Sequence, residues 1–201
     1  MLEAHRVRAG NGVMVFHEAW IGDQQVEYIS RLIEQTRGAP GCNIEMGCWE
    51  GRSTVGLANS CFPERLIAVD SWAGNISEGE EHDTVVLLKQ RDVFGTFRRN
   101  IEELTRGNVE IVRSDCFEFL DGFNEPIKFC HIDAAHDYES VRKTLEMILP
   151  KLVVGGVLCG DDYMSAHAGR ADLRGGVQRA VVELLPDHMN SGNAWVWVKR
   201  G

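Results

Sequence analysis

The chain has 201 residues, a formal net charge of −9 at pH 7 and 44% hydrophobic residues. This length suits a single domain over 1–201 with a sizeable core. The acidic balance argues against a nucleic-acid partner, and no apolar run approaches the roughly 20 residues of a membrane helix. Because the start lacks an apolar signal region and the six cysteines are scattered, we expect a cytoplasmic protein that acts on a small molecule.

Residues 1–22 show no clear period, and we expect them to form an N-terminal arm that covers part of a site. Apolar residues at helical spacing predict a helix over 23–36, which completes the segment 1–40. Strands and helices then alternate. The strands are predicted at 43–46, 66–70, 109–112, 127–133 and 157–159, and the helices at about 53–61, 94–104, 116–121 and 138–149.

A polar, glycine-rich stretch opens the last segment, 164–201, and leads to a helix at about 177–185 and an alternating strand at 194–199. Apolar strands that alternate with helices predict a doubly wound α/β fold. We expect a mostly parallel, Rossmann-like sheet with helices on both faces and an antiparallel C-terminal strand. The N-terminal arm and the edge that carries Trp195 and Trp197 are candidate homodimer surfaces. The charge run at 78–83 is expected to be a solvated loop.

Carboxylates follow five consecutive predicted strands. In open α/β sheets, ligands bind at the carboxyl ends of the strands, so five acidic strand ends predict a binding site at one edge of the sheet. The residues are Glu45, Asp70, Asp115, Asp133 and Asp161.

The turn at 47–51 is the centre of this predicted site. Gly47 and Gly51 allow a ligand to approach the backbone, and Ser53 or Thr54 is placed to cap the helix that follows. Its spacing is neither the Gly-x-Gly-x-x-Gly of dinucleotide binders nor a phosphate-binding loop. The preceding carboxylate, Glu45, suits a ligand with a positive group better than a pyrophosphate.

The next two strands suggest an adenosine. Asp70 stands where a carboxylate accepts hydrogen bonds from ribose hydroxyls, and Asp115 with the backbone at Cys116 is expected beside the adenine. Each carboxylate has an alternative use as a helix cap or a loop hydrogen-bond acceptor.

Four segments carry a resemblance to a known family. They read Glu-Met-Gly-Cys-Trp-Glu-Gly at 45–51, Ala-Val-Asp-Ser-Trp at 68–72, Arg-Ser-Asp-Cys at 113–116 and Ile-Asp-Ala-Ala-His-Asp-Tyr-Glu at 132–139. Together they resemble class I S-adenosylmethionine-dependent methyltransferases. They are similar in particular to the small-molecule O-methyltransferases related to the macrocin and cephalosporin-biosynthesis enzymes. The resemblance covers roughly 40–163, and the Gly-x-Trp-x-Gly turn and Gly-Asp-Asp-Tyr at 160–163 are its more specific parts.

The resemblance implies that the segment 41–163 binds S-adenosyl-L-methionine. Glu45 and the turn would hold the methionine moiety, Asp70 the ribose, and Asp115 with Cys116 the adenine. The cofactor-binding residues expected on this basis are Glu45, Gly47, Trp49, Gly51, Ser53, Thr54, Asp70, Ser71, Trp72, Asp115, Cys116 and Asp133.

A second acidic cluster is expected where the fourth and fifth strands end. Asp133, Asp161 and Asp162 would repel one another unless a cation joins them, and oxygen ligands suit a hard ion such as Mg²⁺ or Ca²⁺. In the metal-dependent relatives, residues at these positions bind a divalent ion that holds the substrate's hydroxyl oxygens. The alternative is a set of surface carboxylates that cap the segments after them.

His136 follows Asp133 by three positions and is the candidate general base. Its ordinary pKa of about 6.5 suits proton removal near neutral pH. Catechol-type relatives carry a lysine at this spacing, so the histidine is a departure, and its alternative is a helix-start residue with no chemical role. Asp133 is the second candidate proton acceptor, and His131 is expected to be a hydrogen-bonded core residue.

The sequence therefore predicts a metal-assisted O-methyltransferase of small molecules such as natural products or sugars. The loops at 72–92 and 163–175 are expected to face the substrate. Their candidate contacts are Trp72, His82, Tyr163, Met164, His167 and Arg170. The alternatives are a metal-independent methyltransferase with an oxygen or nitrogen acceptor, a non-catalytic adenosyl-ligand binding or accessory protein, and, most distantly, a nicotinamide oxidoreductase.

Overall fold

The computed structural model describes residues 5–9, 12–18, 20–164 and 175–201. Its first elements are an antiparallel hairpin of β1 (His5–Ala9) and β2 (Gly12–Phe16), followed by helix α1 (Asp23–Gln35). Strands and helices then alternate as predicted. The strands are β3 (Cys42–Met46), β4 (Leu66–Asp70), β5 (Val109–Arg113), β6 (Ile127–Ile132), β7 (Leu152–Gly160), β8 (Met189–Ser191) and β9 (Ala194–Val198).

The main sheet has seven strands in the order β5-β4-β3-β6-β7-β9-β8. The first five of these run parallel, and β9 and β8 are antiparallel to their neighbours. This confirms the predicted fold class. The chain runs outward from β3 through β4 to β5 and then returns to β6 on the other side of β3. The strand order therefore reverses between β3 and β6, which is where doubly wound sheets bind their ligands.

The helices cover both faces of the sheet. They are α2 (Arg52–Cys61), α3 (Asp83–Leu88), α4 (Val93–Leu104), α5 (Cys116–Gly122), α6 (Tyr138–Ile148) and α7 (Gly176–Leu184). Helix α6 shows why these segments are helical: Val141, Thr144, Leu145 and Ile148 are all buried and lie on one face at helical spacing. Its N-cap, Asp137, accepts a hydrogen bond from the backbone N–H of Ser140 at 2.9 Å.

Three apolar clusters of the described residues hold the layers together, and the smallest packs Trp72 against Phe97 and Ile101 of α4. The two larger clusters lie on opposite faces of the sheet. One packs Leu145 of α6 and Val181 of α7 against Ile44 of β3. The other packs Ile29 of α1 and Leu57 of α2 against the opposite face. Truncating a fully buried leucine of this kind to alanine costs about 2 to 5 kcal/mol of stability. The cores therefore fix the strand ends from both sides.

Several boundaries differ from the sequence prediction. Strand β7 spans Leu152–Gly160 and is longer than the strand predicted at 157–159. The hairpin of β1 and β2, helix α3 and strand β8 were not predicted, because each is short and has no strong periodicity of its own.

Strand β9, which was expected to be an edge of the sheet and a candidate homodimer surface, is not an edge strand. This strand lies between β7 and β8, and Trp195 is buried in the first core, while the indole of Trp197 donates to the Pro186 carbonyl at 2.7 Å. Within the described ranges, no helix is both long and apolar enough to cross a membrane.

Candidate active site

A cavity of about 700 Å³ opens at the carboxyl ends of the parallel strands. Its wall is formed by the loops that follow β3, β4, β5, β6 and β7, together with the N-terminal arm. The residues from the arm are Phe16, Glu18, Trp20 and Ile21. The arm thus covers part of the site, as the sequence predicted.

The glycine turn owes its shape to close contacts within the protein. Gly47 and Gly51 have φ angles of +83° and +88°, a region that favours glycine. A Cβ on Gly47 would lie 1.8 Å from the carbonyl oxygen of Asp133, and one on Gly51 would lie 3.0 Å from the Phe97 ring. Both glycines therefore allow neighbouring segments of the chain to pack closely at the point where the strand order reverses.

Asp70 at the end of β4 organises this turn. Its Oδ2 accepts the backbone N–H groups of Cys48 at 2.8 Å and Trp49 at 3.0 Å, and its Oδ1 accepts that of Trp72 at 2.7 Å. Burial raises the pKa of Asp70 in spite of these bonds. A carboxylate offers about four acceptor positions, so about one remains for a ligand hydroxyl.

The two tryptophans held by Asp70 are strained. Trp49 and Trp72 both have φ = +48°, which is rare for a bulky side chain. The indole of Trp72 also donates to the Trp49 carbonyl at 2.9 Å, so the two loops brace each other. Backbone strain of this kind is found where a binding site is preorganised.

Ser53 and Thr54 do not cap α2, so that part of the sequence prediction is wrong. The N-cap is Gly51 in the left-handed conformation, with no side-chain cap. Ser53 nevertheless lines the cavity, whereas Thr54 is buried behind it. Ser71, which also lines the cavity, accepts the backbone N–H of Ala73 at 3.1 Å.

Glu45 lies behind the cavity wall. It is fully buried and its Oε1 stands 3.3 Å from His131 Nδ1 on the neighbouring strand. Burial favours the neutral imidazole, but the bond and charge of Glu45 outweigh it and raise the pKa of His131. The structure therefore places His131 in the core, as predicted, and places Glu45 away from the residues that line the cavity.

Asp115 and Cys116 both line the cavity. Asp115 caps α5, where its Oδ1 accepts the N–H groups of Phe117 at 2.8 Å and Glu118 at 3.3 Å. Burial, aided by the charges of Asp70 and Asp115, raises the pKa of the Cys116 thiol to about 12. Cys116 is therefore a neutral thiol at physiological pH.

The second acidic cluster assembles as the sequence suggested, with His136 at its centre. His136 Nε2 lies 2.9 Å from Asp162 Oδ2 and 3.9 Å from Asp133 Oδ1. These three side chains can direct ligand atoms to one point, since the atoms lie within 4.8 Å of one another. Burial favours the neutral ring, but hydrogen bonds to Asp133, Asp162 and Glu78 raise the pKa of His136 well above its usual range.

Asp161 lies beside this group and is more buried. Its Oδ1 accepts the backbone N–H of Asp162 at 2.7 Å, and Asp162 itself has φ = +60°. Burial and the nearby charges of Asp133 and Asp162 raise the pKa of Asp161 to about 6. All three predicted carboxylates line the cavity, but Asp161 is not among the three side chains that converge on one point.

The charge run at 78–83 is solvated at Glu80, Glu81 and Asp83, as expected, but the expectation is wrong for Glu78. Glu78 ends a 3-10 turn, Ile76–Glu78, and is fully buried between His82 and His136. Burial alone would raise its pKa, but hydrogen bonds from His136 and His82 lower the pKa of Glu78 below its usual range. The four-residue spacing of Glu78 and His82 is one signal in the sequence that could have revealed this contact.

A second group that the sequence did not single out ties the arm to the glycine turn. Glu18 accepts the Trp49 indole N–H at 2.9 Å and pairs with Arg91. Arg91 also lies 3.1 Å from Glu50 Oε1, and Glu50 accepts the backbone N–H of His17 at 2.7 Å. We call these residues, Glu18, Trp49, Glu50 and Arg91, the arm clasp.

The predicted substrate loops are partly accounted for. Trp72 and His82 line the cavity. Tyr163 instead points into the core, where its hydroxyl lies 2.8 Å from His188 Nε2, and the exposed Met164 is not among the lining residues. His167 and Arg170 lie outside the described residues.

A family model described as a methyltransferase domain matches residues 44–163, which is more than half of the chain. The chain belongs to this methyltransferase family. The match covers the resemblance noted in the sequence and confirms that the protein is a methyltransferase. No curated protein sequence matches the chain.

Solved structures share the fold of this methyltransferase at low sequence identity. The O-methyltransferase NovP is 22% identical, with 90% of this chain and 81% of NovP covered and a TM-score of 0.68. An O-methyltransferase from Bacillus cereus in complex with SAH is 21% identical, with coverages of 89% and 82% and a TM-score of 0.60. CalS11, a TDP-rhamnose 3'-O-methyltransferase of calicheamicin biosynthesis, is 17% identical, with coverages of 88% and 80% and a TM-score of 0.58.

Proposed function

We propose that this methyltransferase uses S-adenosyl-L-methionine to methylate a hydroxyl group of a small molecule, with a divalent cation bound beside the acceptor. The observation that carries the proposal is the meeting of two sites in one cavity. The glycine turn at 47–51, held by Asp70, forms one part of the wall, and the cluster of Asp133, His136 and Asp162 forms another.

The charge of the cavity supports a sulfonium cofactor. Among the lining residues of the described chain, Arg52 is the one lysine or arginine, against eight carboxylates. Such a wall favours a cationic ligand and disfavours the pyrophosphate of a nicotinamide cofactor. The carboxylates are Glu18, Glu50, Asp70, Asp83, Asp115, Asp133, Asp161 and Asp162.

The residues proposed to hold the cofactor are those of the glycine turn and of the next two strand ends. Asp70 keeps an acceptor position for a ribose hydroxyl, and Asp115 and Cys116 line the wall where the adenine is proposed. Glu45 is proposed to act from behind the turn. When bound, S-adenosylmethionine supplies the methyl group, whose C–S bond breaks as the new O–C bond forms, leaving S-adenosylhomocysteine.

The donor set fits a divalent cation. Asp133 and Asp162 are proposed as ligands with Asp161 beside them, and oxygen ligands suit Mg²⁺. Burial and then the charges of Asp133 and Asp162 raise the pKa of Asp161, and hydrogen bonds to carboxylates raise the pKa of His136 against its burial, so both groups face a surplus of negative charge. A cation held by Asp133 and Asp162 would neutralise this charge and would make a substrate hydroxyl more acidic.

The proton of that hydroxyl needs an acceptor in the same wall. His136 Nε2 faces the cavity side of the acidic cluster and is the proposed acceptor once the charge of Asp133 and Asp162 is neutralised. Asp133 is the alternative acceptor. Most of the rate enhancement would come from holding the hydroxyl and the methyl group in attack geometry.

Calorimetry tests the cofactor. We expect S-adenosylmethionine and S-adenosylhomocysteine to bind and NAD not to bind. Binding of NAD without binding of S-adenosylmethionine would refute the proposal.

Methyl transfer to a panel of sugar and phenol acceptors tests the cation. We expect EDTA, Asp161→Ala and Asp162→Ala each to abolish turnover while cofactor binding survives. Asp121→Ala, which removes an exposed carboxylate on α5, is the matched control. Turnover that is unchanged in EDTA would favour a metal-independent methyltransferase.

The acceptor is proposed to be a small molecule, with no nucleic acid or membrane partner, in a cytoplasmic setting. The fold shared with a TDP-rhamnose 3'-O-methyltransferase supports a sugar hydroxyl as one class to test. We also propose that 1–201 acts as one domain. A homodimer remains a proposal that needs a surface other than Trp195 and Trp197.

A further inference from the structure

Glu78 contacts two histidines of the cavity wall and has no role in the reaction proposed above. Its side chain is fully buried, and its carboxylate lies between two imidazoles. His82 Nε2 is 2.9 Å from Oε2, and His136 Nδ1 is 3.2 Å from Oε1. Oε1 also accepts the backbone N–H of His136. A buried carboxylate is costly to ionise, and these three donors offset that cost.

The contact with Glu78 decides which nitrogen of His136 carries a proton. An ionised carboxylate only accepts hydrogen bonds, so Nδ1 must be protonated. Nε2 is the atom that faces Asp162 and Asp133, at 2.9 Å and 3.9 Å, and by the same rule it donates to Asp162 until that carboxylate is neutralised. Glu78 binds His136 at the backbone N–H and at the ring nitrogen Nδ1. These two contacts fix the orientation of the ring as well as its Nδ1 proton.

His82 completes the arrangement. The backbone N–H of Thr84 donates to His82 Nδ1 at 3.3 Å, so Nδ1 is unprotonated and Nε2 carries the proton. That Nε2–H donates to Glu78. Glu78, His82 and His136 could also be read as a metal-binding group, since their ligand atoms lie within 4.8 Å of one another. The Thr84 contact argues against this reading, because a metal would need the unprotonated Nε2.

The loop that carries Glu78 is fastened to the loop that carries His136. The Asn75 side chain donates to the Ala134 carbonyl at 3.0 Å, and the Asn75 backbone N–H donates to the Thr84 hydroxyl at 3.0 Å. Two segments far apart in sequence are thereby held in register at the cavity wall.

We propose that Glu78 is a positioning residue for the methyl transfer. It holds His136 in the Nδ1-protonated tautomer with Nε2 directed at the acceptor side of the cavity. This inference rests on the proposed function, in which Nε2 takes the hydroxyl proton as the oxygen bonds to the methyl carbon. An orienting carboxylate behind a catalytic histidine is worth about 10- to 100-fold or more in activity.

A double-mutant cycle tests the inference. We expect Glu78→Gln to lower kcat about 10- to 100-fold, with the acceptor KM and the dissociation constant of S-adenosylhomocysteine changed less than about twofold. In a His136→Ala background, Glu78→Gln should lower kcat no further, because Glu78 acts through that ring. Losses that multiply would show that Glu78 serves only the fold, and would overturn the proposal.

Nitrogen NMR of ¹⁵N-histidine-labelled protein tests the tautomer without any turnover. In the wild type with Mg²⁺ and S-adenosylhomocysteine, we expect the His136 signals of a protonated Nδ1, assigned by their loss in His136→Ala. Glu78→Gln should shift this ring toward a mixture of tautomers, and Glu78→Asp should restore part of the preference. An unprotonated Nδ1 in the wild type overturns the proposal.

The two readouts separate the two proposals. If no acceptor is methylated but Nδ1 is protonated and depends on Glu78, then the proposed function fails while the positioning role stands. If Glu78→Gln does not fold, as judged by circular dichroism, then the wild-type tautomer and the more conservative Glu78→Asp carry the test.

Discussion

Replacing Asp70 with asparagine tests the claim that this carboxylate builds the cofactor turn. The asparagine oxygen can keep the bonds from Cys48 and Trp49, but its amide group then meets the N–H of Trp72, donor against donor. A lost hydrogen bond to a charged group costs about 1.5 to 3 kcal/mol. Since the buried ionised carboxylate is itself costly, part of this loss is offset, and we expect a net destabilisation of about 2 kcal/mol.

For a domain of this size, 1 kcal/mol shifts the midpoint of thermal unfolding by about 2 to 4 °C. The Asp70→Asn variant should therefore unfold about 4 to 8 °C below the wild type in a circular dichroism melt. Calorimetry should show S-adenosylhomocysteine binding weakened about tenfold, because the turn loses its fixed shape. Asp121→Asn, on the exposed side of α5, should change neither quantity. Wild-type melting and wild-type affinity in Asp70→Asn would refute the reasoning.

Two further substitutions and one alkylation experiment test residues at or next to the cavity. Gly47→Ala should prevent stable folding or cost more than about 3 kcal/mol, because its Cβ would lie 1.8 Å from a backbone oxygen at a φ of +83°. Cys116, with its pKa raised to about 12, should resist iodoacetamide from pH 7 to pH 10 in the folded protein, and its thiolate and reactivity should rise only as the pH approaches that value. Arg91→Ala should free the arm, seen as faster proteolysis next to Glu18, and should weaken cofactor binding several-fold.

Each of these predictions has a control and a contrary result. Gly107→Ala shares a left-handed φ of +76° but meets no atom within 4 Å, so it should cost only about 1 to 2 kcal/mol. Equal effects at the two glycines would contradict the steric argument. Rapid alkylation of Cys116 at pH 8, identified by mass spectrometry, would show that the thiol is not shielded. Unchanged proteolysis in Arg91→Ala, with exposed Arg98→Ala as control, would show that the arm is held by other contacts.

The sequence predicted the parallel sheet and the cavity edge because both follow from local pattern. Apolar strands followed by carboxylates such as Asp70 and Asp133 predict a doubly wound fold with these carboxylates at its ligand-binding edge. The roles of single side chains were harder to predict. Glu45 is the last but one residue of its strand and pairs with Ala68, two residues before Asp70. Its side chain therefore lies deeper along the sheet, where it meets His131 on the neighbouring strand.

Glu78 shows what local pattern could not reveal. Its neighbours in sequence are charged and typical of a solvated loop, but its burial depends on His136, which a different loop brings to it. The arm clasp has the same origin, since Glu18 and Arg91 meet only once the hairpin lies over α4 and the turn. Such pairings are products of topology, so the carboxylate at the end of a strand was predictable while the partner of a loop carboxylate was not.

The arm clasp also bears on how ligands enter and leave. The guanidinium of Arg91 pairs at the same time with Glu18 of the arm and with Glu50 of the glycine turn. Lifting the arm therefore takes Glu18 away from Arg91, and it takes the backbone N–H of His17 away from Glu50, which is almost fully buried. Opening of the arm and the affinity for the cofactor are thus energetically coupled. A bound cofactor should therefore favour the closed arm before the acceptor binds.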